Sequence, residues 1–150
     1  MKINGDIKVS DVNLPLKDGF EKDIIAYGSN NNGYYIKFRN GAMICWNRLE
    51  VTFQFTKQFS TSGCYYGYVQ PGYTYFPQTF YGYPITIYSN PQSQTNCFGL
   101  QPYPERFSDR PPGFYPIGAG VQLNVNITVN IAYVALGRWR DWQSGDAIGD

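Results

Sequence analysis

Residues 34–46 read Tyr34-Tyr35-Ile36-Lys37-Phe38-Arg39-Asn40-Gly41-Ala42-Met43-Ile44-Cys45-Trp46, two alternating runs on either side of an Asn-Gly dipeptide. In the first run Tyr34, Ile36 and Phe38 fall on one face; in the second Ala42, Ile44 and Trp46 do. A period of two sends successive side chains to opposite faces of a strand. Asn-Gly is a strong hairpin signal, because a type I′ turn needs positive φ at both central residues. The stretch therefore predicts a β-hairpin closed at Asn40-Gly41.

Working outward, residues 48–56 predict a third strand, with Val51, Phe53 and Phe55 alternating with Thr52, Gln54 and Thr56. Farther on, Val121, Leu123, Val125, Ile127 and Val129 alternate with Gln122, Asn124, Asn126, Thr128 and Asn130. That is a long strand with one buried and one solvated face. Residues 130–139, with Ile131, Tyr133, Val134 and Leu136, continue as a further strand. No helix of three turns with an apolar stripe is visible. The fold class expected is all-β, an antiparallel β-sandwich.

The chain has 150 residues, enough for one domain with its own core. Residues 1–27 mix charged and apolar side chains and read as an extended lead-in or oligomerisation segment. The loop Tyr27-Gly28-Ser29-Asn30-Asn31-Asn32-Gly33 marks the boundary, with the sandwich over 28–150. Residues 143–150 read as a loose tail.

Residues 57–116 differ from this frame. They hold nine of the ten prolines and ten of the fourteen tyrosines. Proline cannot donate to a central ladder, so the region predicts ordered loops with short strands at 64–69, 85–88 and 96–100. Gly118-Ala119-Gly120 reads as a loop corner.

Several function classes are disfavoured by composition. There is no histidine, which removes the commonest general base and zinc ligand. Net charge is +1, with no basic stripe for a phosphate backbone. No run approaches the ~20 apolar residues that span a bilayer, and the N-terminus has no signal-like apolar stretch. The triplet Asn126-Ile127-Thr128 therefore reads as a coincidental glycosylation match. Cys45, Cys64 and Cys97 are expected as free thiols in a reducing compartment, with a Cys64–Cys97 bridge the alternative. Glu105 and Asp109, with Glu50 and Asp141 elsewhere, are the carboxylates a glycosidase would need. Their neighbours Arg106 and Arg110 make ion pairing the simpler account. No catalytic residue, metal or cofactor is assigned.

What remains is a binding surface. Tyr65, Tyr66, Tyr68, Tyr73, Tyr75, Tyr81, Tyr83 and Tyr88 are interleaved with Gly, Pro, Ser, Thr, Gln and Asn. Tyrosine offers a flat surface and a hydroxyl at low entropy cost, the mixture used by paratopes. Its ring stacks on the apolar face of a sugar. Asn90, Gln94 and Asn96 are expected to satisfy sugar hydroxyls, and Arg106 and Arg110 complete the candidate ligand-binding residues. About half of the tyrosines are expected to pack loops together instead.

Gly33-Tyr34-Tyr35-Ile36-Lys37-Phe38-Arg39-Asn40-Gly41-Ala42-Met43-Ile44-Cys45-Trp46 resembles a hairpin of phage and prophage tail-fibre C-terminal domains, of the pattern Gly-x-Tyr-Ile-Lys-Phe-x-(Asp or Asn)-Gly-x-x-Ile-x-(Trp or Tyr). Val51-Thr52-Phe53 is similar to the strand that follows it there. Tyr133-Val134-Ala135-Leu136-Gly137-Arg138-Trp139 is similar to the closing strand. The resemblance covers residues 28–56 and 121–140 and carries over no residue of the middle. It implies a β-sandwich receptor-binding domain at the tip of a homotrimeric fibre, on a virion or on a phage-tail-like bacteriocin. The implied partner is a host cell-surface polysaccharide or envelope protein, alongside other tail proteins. The alternatives are a structural tail-tip or baseplate protein and an envelope polysaccharide depolymerase.

Overall fold

A computed structural model describes residues 23–59, 63–69, 74–89, 97–104, 106–144 and 146. It contains eight strands: β1 (Ile24–Asn30), β2 (Gly33–Phe38), β3 (Ala42–Gln58), β4 (Cys64–Gly67), β5 (Tyr81–Tyr88), β6 (Cys97–Pro102), β7 (Phe114–Ala119) and β8 (Asn126–Arg138). Every pairing is antiparallel. The fold is all-β and sandwich-like, as its alternation predicts.

The two longest strands, β3 and β8, pair along their length from Ala42↔Arg138 to Gln54↔Asn126. At one end they are the middle of a five-stranded sheet ordered β1-β2-β3-β8-β5. At the other end β3 turns its free edge to β4, and a second sheet runs β3-β4-β7-β6. A register shift between Phe55 and Lys57 accompanies this hand-over. A bulge bends a strand and raises its twist, so one strand serves both layers.

Odd-numbered side chains of β3 face inward from Met43 to Phe55. Val51, Phe53 and Phe55 join Val129 and Ile131 of β8, and Val69, Cys97 and Phe114 cover them from the second sheet. Toward the other end Met43, Cys45, Tyr133 and Ala135 are covered by Phe76 and Phe80. Those two rings meet edge to face, their centroids 5.0 Å apart. The inner face of the larger sheet is thus roofed partly by a sheet and partly by an aromatic loop.

The hairpin at Asn40-Gly41 is present, but its turn is not type I′. Arg39 and Asn40 keep negative φ, and Gly41 alone is left-handed at 87°. The Gly41 N–H donates to the Phe38 carbonyl at 3.0 Å and Asn40 Oδ1 accepts from Ala42 N–H at 3.0 Å. A turn followed by a left-handed glycine is the three-residue solution. Trp139 fastens it, its indole N–H donating to the Phe38 carbonyl at 2.9 Å.

Other expectations change too. The stretch read as a loop at 27–33 is mostly β1, which pairs with β2 and closes over Asn31-Asn32. The boundary expected at residue 28 therefore falls inside a strand. No break separates residues 42–46 from 48–56, because β8 pairs with both runs. Residues 121–125 are not strand: Asn124 is left-handed at 60° and Leu123 and Val125 are exposed. Among the described residues the middle holds four strands, including β7, which the prolines hid and which takes in Gly118 and Ala119. All three cysteines are unbridged, Cys45 and Cys97 buried.

Candidate functional site

Two Tyr-Pro dipeptides build the site. A residue before proline is held extended. Tyr83-Pro84, with Ile85 and Thr86, forms one wall along β5. Tyr103-Pro104, at the end of β6, begins the other wall, which Arg106, Phe107 and Pro112 complete. Between them lies an open cleft of about 580 Å³, within the ~300–1,000 Å³ typical of ligand sites.

The second wall is pinned from behind. Asp109 and Ser108 carbonyls accept from the Phe76 and Phe80 N–H groups, both at 2.8 Å. Arg110 grips Asp109 through two bonds of 3.0 Å and lies 5.2 Å over Tyr75 and 5.3 Å over Phe107. The hydrogen bonds from Arg110 hold the Asp109 carboxyl below its ordinary value. Arg110 is thus occupied in the wall itself. Arg106 is exposed at the cleft, and among the described residues no carboxylate pairs with it.

Tyr103 also begins an aromatic surface that runs away from the cleft. Its ring lies 5.5 Å from Tyr68 and 5.3 Å from Tyr115. Tyr115 continues to Tyr66 at 6.4 Å, and Tyr66 to Phe59 at 4.4 Å. Crowding among these rings, then the hydrogen bond with Tyr103, pushes the Tyr115 phenol above its ordinary value. Cleft and row together offer stacking faces, phenolic hydroxyls, the Thr86 hydroxyl and one guanidinium.

The expected ligand residues divide as follows. Tyr83 and Arg106 line the cleft, and Tyr66 and Tyr68 stand in the adjoining row. Tyr75 and Tyr81 are exposed outside it. Tyr65 and Tyr88 pack against the core, and the Tyr88 hydroxyl donates to the Pro112 carbonyl. Burial pushes the Tyr88 phenol up. These two belong to the frame rather than to a ligand surface. Tyr73, Asn90, Gln94 and Asn96, like Glu105, lie outside the described residues. Tyr103, Phe107 and Tyr115 are additions; the repeated Tyr-Pro pair is the signal that marks Tyr103.

Compared with models of known families, with curated proteins and with solved structures, the chain matches none.

Proposed function

We propose that this chain is a receptor-binding module of the phage tail-fibre type, which holds a host cell-surface glycan in the cleft between Tyr83 and Tyr103. The observation that carries the reading is the pairing of two Tyr-Pro walls with the exposed Arg106 in a space of about 580 Å³. Flat rings stack on the apolar faces of sugars, and a guanidinium binds a carboxylate or phosphate substituent in two-pronged fashion. An anionic surface polysaccharide satisfies all three groups. The resemblance of residues 28–56 and 121–140 to tail-fibre tips supports the same conclusion and adds a homotrimer at the virion tail tip.

An open cleft of this kind makes a weak site. Adsorption then comes from several copies on one particle, because linked sites raise the effective concentration of each other. The module grips its glycan without cleaving it.

The test is a panel. Labelled full chain is incubated with bacterial envelopes and purified glycans, neutral and acidic, and bound protein is counted. Retention on at least one envelope and its acidic glycan is expected. Binding to tail or baseplate proteins with no retention on any envelope would replace this reading with a structural one. Release of sugar fragments would replace it with a depolymerase.

A further inference from the structure

The five-stranded sheet has a second face, opposite the core. Cross-strand register sets two rows of side chains on it. One row runs Tyr27, Ile36, Ile44, Leu136 and Ile85, from β1 across to β5. The next runs Ser29, Tyr34, Trp46, Val134 and Ile87. Neither row contains a charged side chain, and the polar groups on them are the Ser29 and Tyr hydroxyls and the Trp indole. Tyr27 is 79% exposed, Ile85 69% and Ile87 56%. Tyr34 stacks on Trp46, centroids 5.6 Å apart and planes within 16°.

Farther along β3 and β8 the same face changes character. Arg48, Glu50, Thr52 and Gln54 lie opposite Ala132, Asn130, Thr128 and Asn126. Thr52 and Thr128 hydroxyls bond at 2.8 Å, and the Gln54 amide donates to Asn126 Oδ1 at 2.9 Å. That half is built for water and the other half is not.

We infer that the apolar half of this face is where copies of this chain meet. The size fits. Its exposed apolar area is on the order of 700 Å², close to the roughly 800 Å² each partner buries in a stable interface, and larger than a monomer usually leaves bare. Self-complementarity fits as well. Tyrosines lie at the β1–β2 side and isoleucines at the β5 side. A symmetry axis parallel to β3 lays the tyrosine edge of one copy against the isoleucine edge of the next. It also keeps apolar half on apolar half and polar half on polar half. A net charge of +1 gives copies almost no mutual repulsion. Closed symmetric association is the usual state of such a surface.

The inference is independent of the glycan reading, because Ile44, Trp46, Val134 and Leu136 take no part in the cleft. Ile85 borders both surfaces and is left unchanged. The test is the mass of the full chain by light scattering at about 50 µM, since assembly is concentration-dependent. Wild type is expected to be a closed assembly of two or more copies that persists in high salt. Ile44→Lys with Leu136→Lys is expected to give the mass of one chain with unchanged circular dichroism, and Gln101→Lys, exposed on β6 of the other sheet, to leave the assembly intact. A second arm places Ser29→Cys and Ile87→Cys, the two ends of one row, together in a Cys64→Ser background, where mild oxidation should link chains covalently. Wild type at the mass of one chain, an assembly that survives the double lysine variant, or failure of the cysteine pair to cross-link would each overturn the inference.

Discussion

The Arg138 guanidinium donates to the Asp146 carboxylate at 2.9 Å, tying the end of β8 to a segment eight residues later. Arg140 adds two bonds of 2.7 Å to the same carboxylate, and the Gln143 N–H a fourth at 2.8 Å. Arg138 lies 3.7 Å over the Trp142 ring. The segment expected as a loose tail is therefore anchored as far as Asp146, by charge that the sequence spacing alone does not pair.

These donors, Arg140 foremost, lower the Asp146 carboxyl from 3.8 to about 2. A carboxyl depressed on folding contributes stability that is present above its unfolded value and lost as pH falls through its folded one. The contribution is thus whole at neutral pH and fades between 3.8 and about 2. Asp146→Asn is expected to lower the melting temperature by about 3–6 °C at neutral pH and to flatten the acid dependence in that window. Thermal unfolding across pH, read by tryptophan fluorescence, checks both; an unaltered acid profile contradicts the anchor.

Phe55 sits where β3 passes from one sheet to the other and is fully buried against Phe53, edge to face at 5.4 Å. Phe55→Ala leaves a cavity shared by both layers and is expected to cost about 3–5 kcal/mol. Denaturant titration should move the midpoint without changing the slope. A loss below about 1 kcal/mol would mean that the layers do not share one core.

The alternation of β3 and β8 was legible because each has one face against a core, which period two records directly. Their length was not, since Asn47 and Asn130 look like breaks until the partner strand supplies the pairing. β7 was hidden because Pro116 and Gly118 argue against a strand, yet it lies between β4 and β6. In the site, Tyr83 and Arg106 could be named from composition. Tyr103 repeats the Tyr-Pro signal of Tyr83, but its approach to β5, like that of Phe107, depends on backbone bonds between residues 76–80 and 108–109. Tyr65 and Tyr88 look like their exposed neighbours in sequence; only the packing separates them.

Thiol reactivity follows burial. Desolvation pushes Cys45 up to about 12 and raises Cys97, while Cys64 is only partly buried. The thiolate is the reactive form. One thiol per chain is expected to react with a disulfide reagent in the native state, and Cys64→Ser should remove that reaction. Rapid labelling of Cys45 would show that the Phe76–Phe80 roof opens readily.

The proposed glycan affinity rests on the Tyr83–Tyr103 cleft. Titration calorimetry of the retained glycan against wild type, Tyr103→Ala, Arg106→Gln and Tyr88→Phe tests it most directly. Tyr103→Ala and Arg106→Gln should each weaken binding by about tenfold, equivalent to roughly 1.4 kcal/mol, with Tyr88→Phe unchanged. Wild-type affinity in both cleft variants would contradict it.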